Sequence, residues 1–145
     1  MIQSVITKNK ILLNASVSNK REAIELAGKL LVEDGHVSQE YIGKMFEREE
    51  ALTTYIGNGV AIPHGTEESK KWIKSSGISI LQIPNGVDFG NGNTAYLVIG
   101  IAGAGNDHLD ILSNIAIACS EEENVKRIVQ ATSEEEIAEI FERGI

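Results

Sequence analysis

Ala95 to Ala102 is the stretch that most limits what this chain can become. Its residues, Ala-Tyr-Leu-Val-Ile-Gly-Ile-Ala, carry no charge and show no polar alternation. A strand with one wet face alternates, whereas a continuous apolar run needs cover on both faces. Extended to Gly105, the run of apolar residues and glycines reaches 11 residues. A membrane span needs roughly 20. The segment therefore reads as a central, doubly covered strand.

What flanks it supplies the cover. Ile11-Leu12-Leu13 reads as a short buried strand. Asn19, with Glu22 three residues on, is a capping-box spacing that opens a helix carrying Ala23, Ile24, Ala27, Leu30 and Leu31. Gly35 supplies its C-terminal stop. Ser38 opens a second helix with Ile42, Met45 and Phe46 on one face, ending in Glu47-Arg48-Glu49-Glu50. Thr53 to Gly65 reads as a loop and short strand, and Glu67 to Lys74 as a brief helix. Ile78 to Ile83 reads as a strand, followed by turns at Pro84-Asn85-Gly86 and Gly90-Asn91-Gly92-Asn93. Past the central strand, a helix opens at Asn106 or Asp107, with Leu109, Leu112, Ile115, Ala116 and Cys119 as its apolar stripe. Ser120 with Glu123, and Ser133 with Glu136, are capping boxes for two more. The pattern predicts an α/β sandwich, with residues 1–145 forming one domain. A chain of this size buries roughly 68% of its unfolded surface, enough for one core.

Composition removes several classes. Lys and Arg number 13 against 21 Asp and Glu, a net charge of −8. Nucleic-acid binding calls for clustered basic residues, so an acidic chain argues against it. The charge is uneven: residues 1–106 hold 11 acids and 10 bases, residues 107–145 hold 10 and 3. This acidic tail is expected to be a solvated face. The first ten residues contain no apolar block of signal-peptide length, and Cys119 is the one cysteine, which together point to the reducing cytoplasm. Its place on the apolar stripe makes Cys119 a small buried hydrophobe, not a nucleophile.

The candidate chemistry lies in the histidines. His36 follows Gly35 past a helix end and reads as a solvated loop residue. His64 sits in Val60-Ala61-Ile62-Pro63-His64-Gly65-Thr66. Pro63 fixes its own φ and pushes Ile62 towards an extended conformation, so the imidazole is presented at a strand end on a constrained backbone. Ligands of α/β folds bind at such ends. Gly65 leaves room for something to approach. The alternative is a loop histidine that caps a carbonyl. His108 follows the central strand in the first turn of a helix, where the dipole attracts anions and lowers a histidine pKa. The alternative there is an ordinary polar first-turn residue.

Familiar motifs fail. Gly103-Ala104-Gly105 lacks the third glycine of a dinucleotide fingerprint, whose place His108 takes. There is no Walker lysine, no G-x-S-x-G and no H-x-x-x-H or C-x-x-C zinc spacing, and no cofactor is expected. Two histidines near strand ends, with Arg48 upstream, suit an oxyanion. Histidine is a good temporary phosphoryl acceptor, because its neutral ring is nucleophilic near pH 7. Arg48 and His108 would then offset charge on the transferring group.

Thr53-Thr54-Tyr55-Ile56-Gly57-Asn58-Gly59-Val60-Ala61-Ile62-Pro63-His64-Gly65-Thr66, with Arg48 upstream and Asn106-Asp107-His108-Leu109 leading into Asp110-Ile111-Leu112-Ser113, resembles a known family. It is the enzyme IIA domain of the mannitol/fructose class of the bacterial sugar phosphotransferase system, and the resemblance runs from about Leu12 to Phe141. The resemblance implies a mixed sheet with helices on both sides. It implies a phosphotransferase component in which His64 takes a phosphoryl group on Nε2 from the phosphohistidine of the carrier HPr. His64 then passes it to a cysteine of an enzyme IIB domain. His108 matches the family's second active-site histidine and Arg48 its arginine. The Tyr55-Ile56 loop, with Thr66 after Gly65, is similar to the mannitol branch more than to the fructose or nitrogen-regulatory branches. The membrane permease carrying enzyme IIB is expected to be a separate polypeptide. Mechanistically, His64 Nδ1–H should bond a backbone carbonyl, with Thr66 a further candidate contact. Two other readings remain: a fructose-type or nitrogen-regulatory-type enzyme IIA, the latter using the same phosphohistidine as a signal, and a metal-dependent enzyme using His64, His108 and Asp107.

Overall fold

The apolar run does form the middle of a sheet. The computed structural model describes residues 6–143; the expectation for the first ten residues rests in part on residues 1–5, outside the described residues. The strands are β1 (Ile11–Leu12), β2 (Tyr55–Gly57), β3 (Val60–Ala61), β4 (Gly77–Gly90) and β5 (Asn93–Ala102), in the order β1-β4-β5-β3-β2. The β1–β4 and β3–β5 pairs are parallel, while β4–β5 and β2–β3 are antiparallel. The sheet is therefore mixed, and β5 is its centre.

Two helices cover one face and three the other. On the first, α1 (Lys20–Glu33) and α2 (Glu40–Ala51) bring Ala23, Ala27, Leu31 and Met45 against Leu81, Ile83 and Val98. On the second, α3 (Asp107–Cys119), α4 (Glu122–Gln130) and α5 (Glu134–Arg143) bring Ile111, Ile115, Ile128 and Phe141 against Ile80, Leu97 and Ile99. Alternate residues of β5 thus feed opposite cores, which is why the run could not alternate with polar residues. Helix α1 lies close on the sheet. Ser79 Oγ donates to the Ala27 carbonyl at 2.8 Å, and a Cβ on Gly100 would come within 2.5 Å of that Ser79 oxygen.

Local chemistry sets several ends. Asn19 Oδ1 accepts from Glu22 N–H at 2.8 Å, while the Glu22 carboxylate accepts from Ser18 N–H at 2.8 Å. Gly35 takes the left-handed conformation at φ +77°. Ser133 Oγ caps Glu136 N–H at 3.2 Å. Asn91 and Gly92, at φ 55° and 78°, make the β4–β5 turn that an Asn-Gly pair favours.

Three expectations need correction. Pro84-Asn85-Gly86 is not a turn between elements. Gln82 pairs with Leu97 and Val87 with Ala95, so the proline stretch is an irregularity inside β4. Proline cannot donate to a ladder, and such a bulge accommodates it. Ser120 and Glu123 form no capping box: Ser120 Oγ donates back to the Ile117 carbonyl at 2.7 Å, and α4 starts without a side-chain cap. The inward stripe of α3 is Ile111, Ile115, Ala118 and Cys119, whereas Leu109 is 74% exposed and Ala116 also faces out. Helix α3 is apolar on most sides, so its period alone does not say which face turns inward.

Among the described residues, no helix is long and apolar enough to cross a membrane. The tail acids Glu121 to Glu123, Glu135 and Glu136 are exposed, as expected of a solvated face.

Candidate functional site

The histidine pair is assembled at the C-terminal end of β5. Past β3, the Pro63 carbonyl accepts Ile101 N–H at 2.9 Å, and His64 pairs alongside Ile101 in parallel register. That pins the His64 backbone to the central strand. After β5 the chain turns through Gly103 into α3. A Cβ on Gly103 would lie 2.5 Å from the Cα of His108, so only glycine lets the first turn of α3 fold back this tightly. The two rings come to 5.4 Å between centroids, tilted by 57°. Residues separated by 44 positions, each expected at a strand end, thus share one site.

The ring of His64 is oriented. It is buried, and its Nδ1 lies 2.8 Å from the carbonyl oxygen of Ile62. A carbonyl only accepts, so Nδ1 carries the proton and Nε2 the lone pair. The carbonyl cap expected as the alternative is therefore present, and it selects the tautomer. Burial pushes the His64 pKa below its ordinary value. The Ile62 bond opposes that shift, Arg48 and His108 add to it, and Glu49 opposes it. Burial likewise lowers His108, with Lys70 and Arg48 adding to the effect and Glu67 opposing it. Neutral rings follow near pH 7.

Arg48, in the last turn of α2, donates through one NH group to the Leu52 carbonyl at 2.5 Å. That bond fastens the guanidinium at the helix end, and a guanidinium has further N–H donors to offer. The Thr66 hydroxyl is buried with no hydrogen-bond partner among the described residues, which keeps it a candidate donor. Beside His108 runs a groove lined by Glu67, Lys70, Gly105, Asn106, Leu109 and Asp110. A more apolar groove bounded by Asn58, Tyr96, Val125 and Val129 contains no histidine.

Other expected residues lie elsewhere. His36 is not a solvated loop residue: its Nε2 meets Asp34 at 2.8 Å and its Nδ1 meets Ser75 Oγ at 2.9 Å. Its ring fills the space where a Gly77 side chain would stand. Cys119 is buried, and burial pushes its thiol up to about 12. Asp107 accepts from Ser76 Oγ at 2.7 Å, and no group of three His, Cys, Asp or Glu able to hold a metal exists among the described residues. The room beside Gly65 is not left for a ligand, because Ser69 and Tyr41 fill it.

Tyr41 and Glu49 were not foreseen. The Tyr41 hydroxyl accepts from Gly65 N–H at 2.9 Å and donates to the Ile101 carbonyl at 2.8 Å, bolting the loop after His64 to β5. Burial raises its pKa to about 12. In sequence it is one more apolar-face residue, beside Ile42 and Met45. Glu49 is a buried carboxylate that the charged run Glu47 to Glu50 conceals.

Comparison with known proteins identifies the family of the chain. The family model described as "Phosphoenolpyruvate-dependent sugar phosphotransferase system, EIIA 2" matches residues 4–144. The chain is 60% identical to the mannitol-specific phosphotransferase enzyme IIA component of Bacillus subtilis, covering 94% of this chain and 96% of that one. It is 58% identical to the component of the same name from Geobacillus stearothermophilus, covering 97% of each. Among solved structures it resembles mannitol enzyme IIA from Escherichia coli in complex with phosphorylated enzyme IIB. The TM-score is 0.89 at 35% identity, covering 94% of this chain and 96% of that one. The chain therefore belongs to the EIIA 2 family of the phosphoenolpyruvate-dependent sugar phosphotransferase system.

Proposed function

We propose that this protein is a cytoplasmic phosphocarrier for mannitol uptake, taking a phosphoryl group from phosphorylated HPr on His64 and giving it to a cysteine of an enzyme IIB domain. The observation that carries the reading is the 2.8 Å bond from His64 Nδ1 to the Ile62 carbonyl, which leaves Nε2 as the nucleophile. In the first transfer, the phosphorus–nitrogen bond to the HPr histidine breaks as the bond to His64 Nε2 forms. The Nδ1 proton stays in place, and the ring gains positive character that the Ile62 carbonyl offsets. In the second, a cysteine thiolate takes the phosphoryl group and His64 returns to its neutral form. Little covalent work falls to the protein; alignment and charge stabilisation do the rest. His108 and Arg48 donate to phosphoryl oxygens, with Thr66 as a further donor.

Docking rests on apolar contacts. Leu52, whose carbonyl holds Arg48, is 67% exposed, and Leu109, which follows His108, is 74% exposed. The sugar and the acceptor are read from relatives: the B. subtilis and G. stearothermophilus proteins are named mannitol-specific, and the E. coli relative is solved with phosphorylated enzyme IIB.

The test is incubation with phosphorylated HPr followed by mass measurement. Wild type gains one acid-labile phosphate and His64→Ala gains none; a labelled His64→Ala would refute the assignment. His108→Ala and Arg48→Ala take up phosphate at His64 more slowly. Transfer to purified IIB domains of several sugar classes should be fastest to the mannitol class.

A further inference from the structure

Glu49 is a buried acid that the proposed chemistry does not use. It is 5% exposed, at the end of α2 next to Arg48. A carboxylate so hidden requires hydrogen-bond partners. One oxygen, Oε1, accepts from both donors of Thr54, the backbone N–H at 2.8 Å and the hydroxyl at 2.6 Å. The other, Oε2, faces the Lys20 ammonium at 3.4 Å. Thr54 is therefore held at two points.

The bonds continue towards His64. The Thr54 carbonyl accepts Ile62 N–H at 3.0 Å, and the Ile62 carbonyl accepts His64 Nδ1–H at 2.8 Å. Ile62 lies one residue past β3, and its N–H goes to Thr54 and not into the ladder with β5. Its carbonyl is thus aimed by two constraints, the Thr54 bond on one side and Pro63 on the other. We infer that Glu49 is a positioning residue for His64: acting residue by residue through Thr54 and Ile62, it holds the carbonyl that keeps the proton on Nδ1 and the lone pair on Nε2. The role needs an acceptor oxygen at position 49 and not its charge. For its functional consequence it rests on His64 being the phosphoryl acceptor. Its structural content is a tautomer, which is measurable without any donor protein.

The experiment reads the His64 tautomer by long-range nitrogen–proton NMR at about pH 8, where the ring is neutral. It is paired with the rate of transfer from phosphorylated HPr per folded molecule. Wild type and Glu49→Gln, which keeps an acceptor oxygen, should both show His64 as the Nδ1–H form and transfer at similar rates. Glu49→Ala should populate the Nε2–H form and transfer about tenfold to a hundredfold more slowly, the range expected when a reacting atom is misplaced. Thr54→Val, which keeps the backbone donor but loses the hydroxyl, should fall between. A folded Glu49→Ala that keeps a pure Nδ1–H ring overturns the inference, whatever its rate. So does a Glu49→Gln that behaves like Glu49→Ala, since charge would then be the operative property. If Glu49→Ala does not fold, Thr54→Val decides: an unchanged tautomer and rate overturn the inference. A tautomer shift in variants of a protein whose wild type takes up no phosphate would uphold the tether and remove the proposed function.

Discussion

As the proposed phosphoryl acceptor, His64 would attack only while its ring is neutral, and its surroundings favour that form. Burial is the largest cause, and with Arg48 and His108 it pushes the pKa below its ordinary value. The acid limb of the transfer rate should therefore have its midpoint below about 6.5. A midpoint above that value in a rate-versus-pH profile would contradict the environment described. Tyr41 offers a test of rigidity. Tyr41→Phe leaves the Gly65 N–H and the Ile101 carbonyl without their bridge. The cost should be about 1–3 kcal/mol of stability, because buried polar groups are then orphaned. Denaturant unfolding measures that cost, and transfer should slow with it. In the sequence the histidine was legible because Pro63 and Gly65 frame it. Tyr41 was not, because its importance lies in where its hydroxyl ends, 24 residues from one partner and 60 from the other.

At the scale of elements, the first turn of α3 decides the site. Gly103 permits its close return, and Gly103→Ala would drive a Cβ into the His108 backbone. Backbone cannot yield as a flexible side chain does, so a loss of about 1–3 kcal/mol is expected, together with slower transfer. Thermal melting and transfer rate should move together in this variant. Leu109 separates docking from folding. At 74% exposed, its replacement in Leu109→Asp should change stability by no more than about 0.5 kcal/mol. Docking should lose about 1 kcal/mol or more, roughly a fivefold slower transfer at low carrier concentration. An unchanged rate would place the docking surface elsewhere. The sequence placed Leu109 on the buried stripe. Period reading works for α1, where polar residues mark the outer face, and fails for α3, where Leu109, Ile117 and Ala116 are apolar and outward.

For the whole molecule, acid should weaken the fold in two stages. His64 and His108 have lowered pKa values, so the unfolded chain binds more protons than the folded one below the ordinary histidine value. Stability should fall as pH drops below about 6.5. Asp34 is held at about 2 instead of 3.8, first by its hydrogen bond to Lys10 and then by Asn9. Its contribution is complete above 3.8 and should be lost as pH falls towards 2. Melting temperature against pH checks both stages, and Asp34→Asn should remove the lower one. The acidic tail, with 10 acids and 3 bases over residues 107–145, exposes Glu121 to Glu123, Glu135 and Glu136 and is expected to steer partners only mildly, at long range. Transfer from HPr should accordingly depend weakly on salt, whereas docking by charge would fade within a Debye length of about 10 Å at 0.1 M.

Some of this was settled by sequence alone. A run of apolar residues from Ala95 to Ala102 has nowhere to go but the middle of a covered sheet, since both faces of a strand must leave water together. Ile62-Pro63-His64-Gly65 presents an imidazole at a strand end because proline limits the backbone on its own side of the peptide bond. These are short-range constraints, and chain neighbours suffice to impose them. The meeting of His64 and His108 and the bolt from Tyr41 depend on how the sheet brings β3 beside β5 and lays α2 and α3 over their ends. Those contacts join positions far apart in the chain, and their energies exist only once both cores have closed.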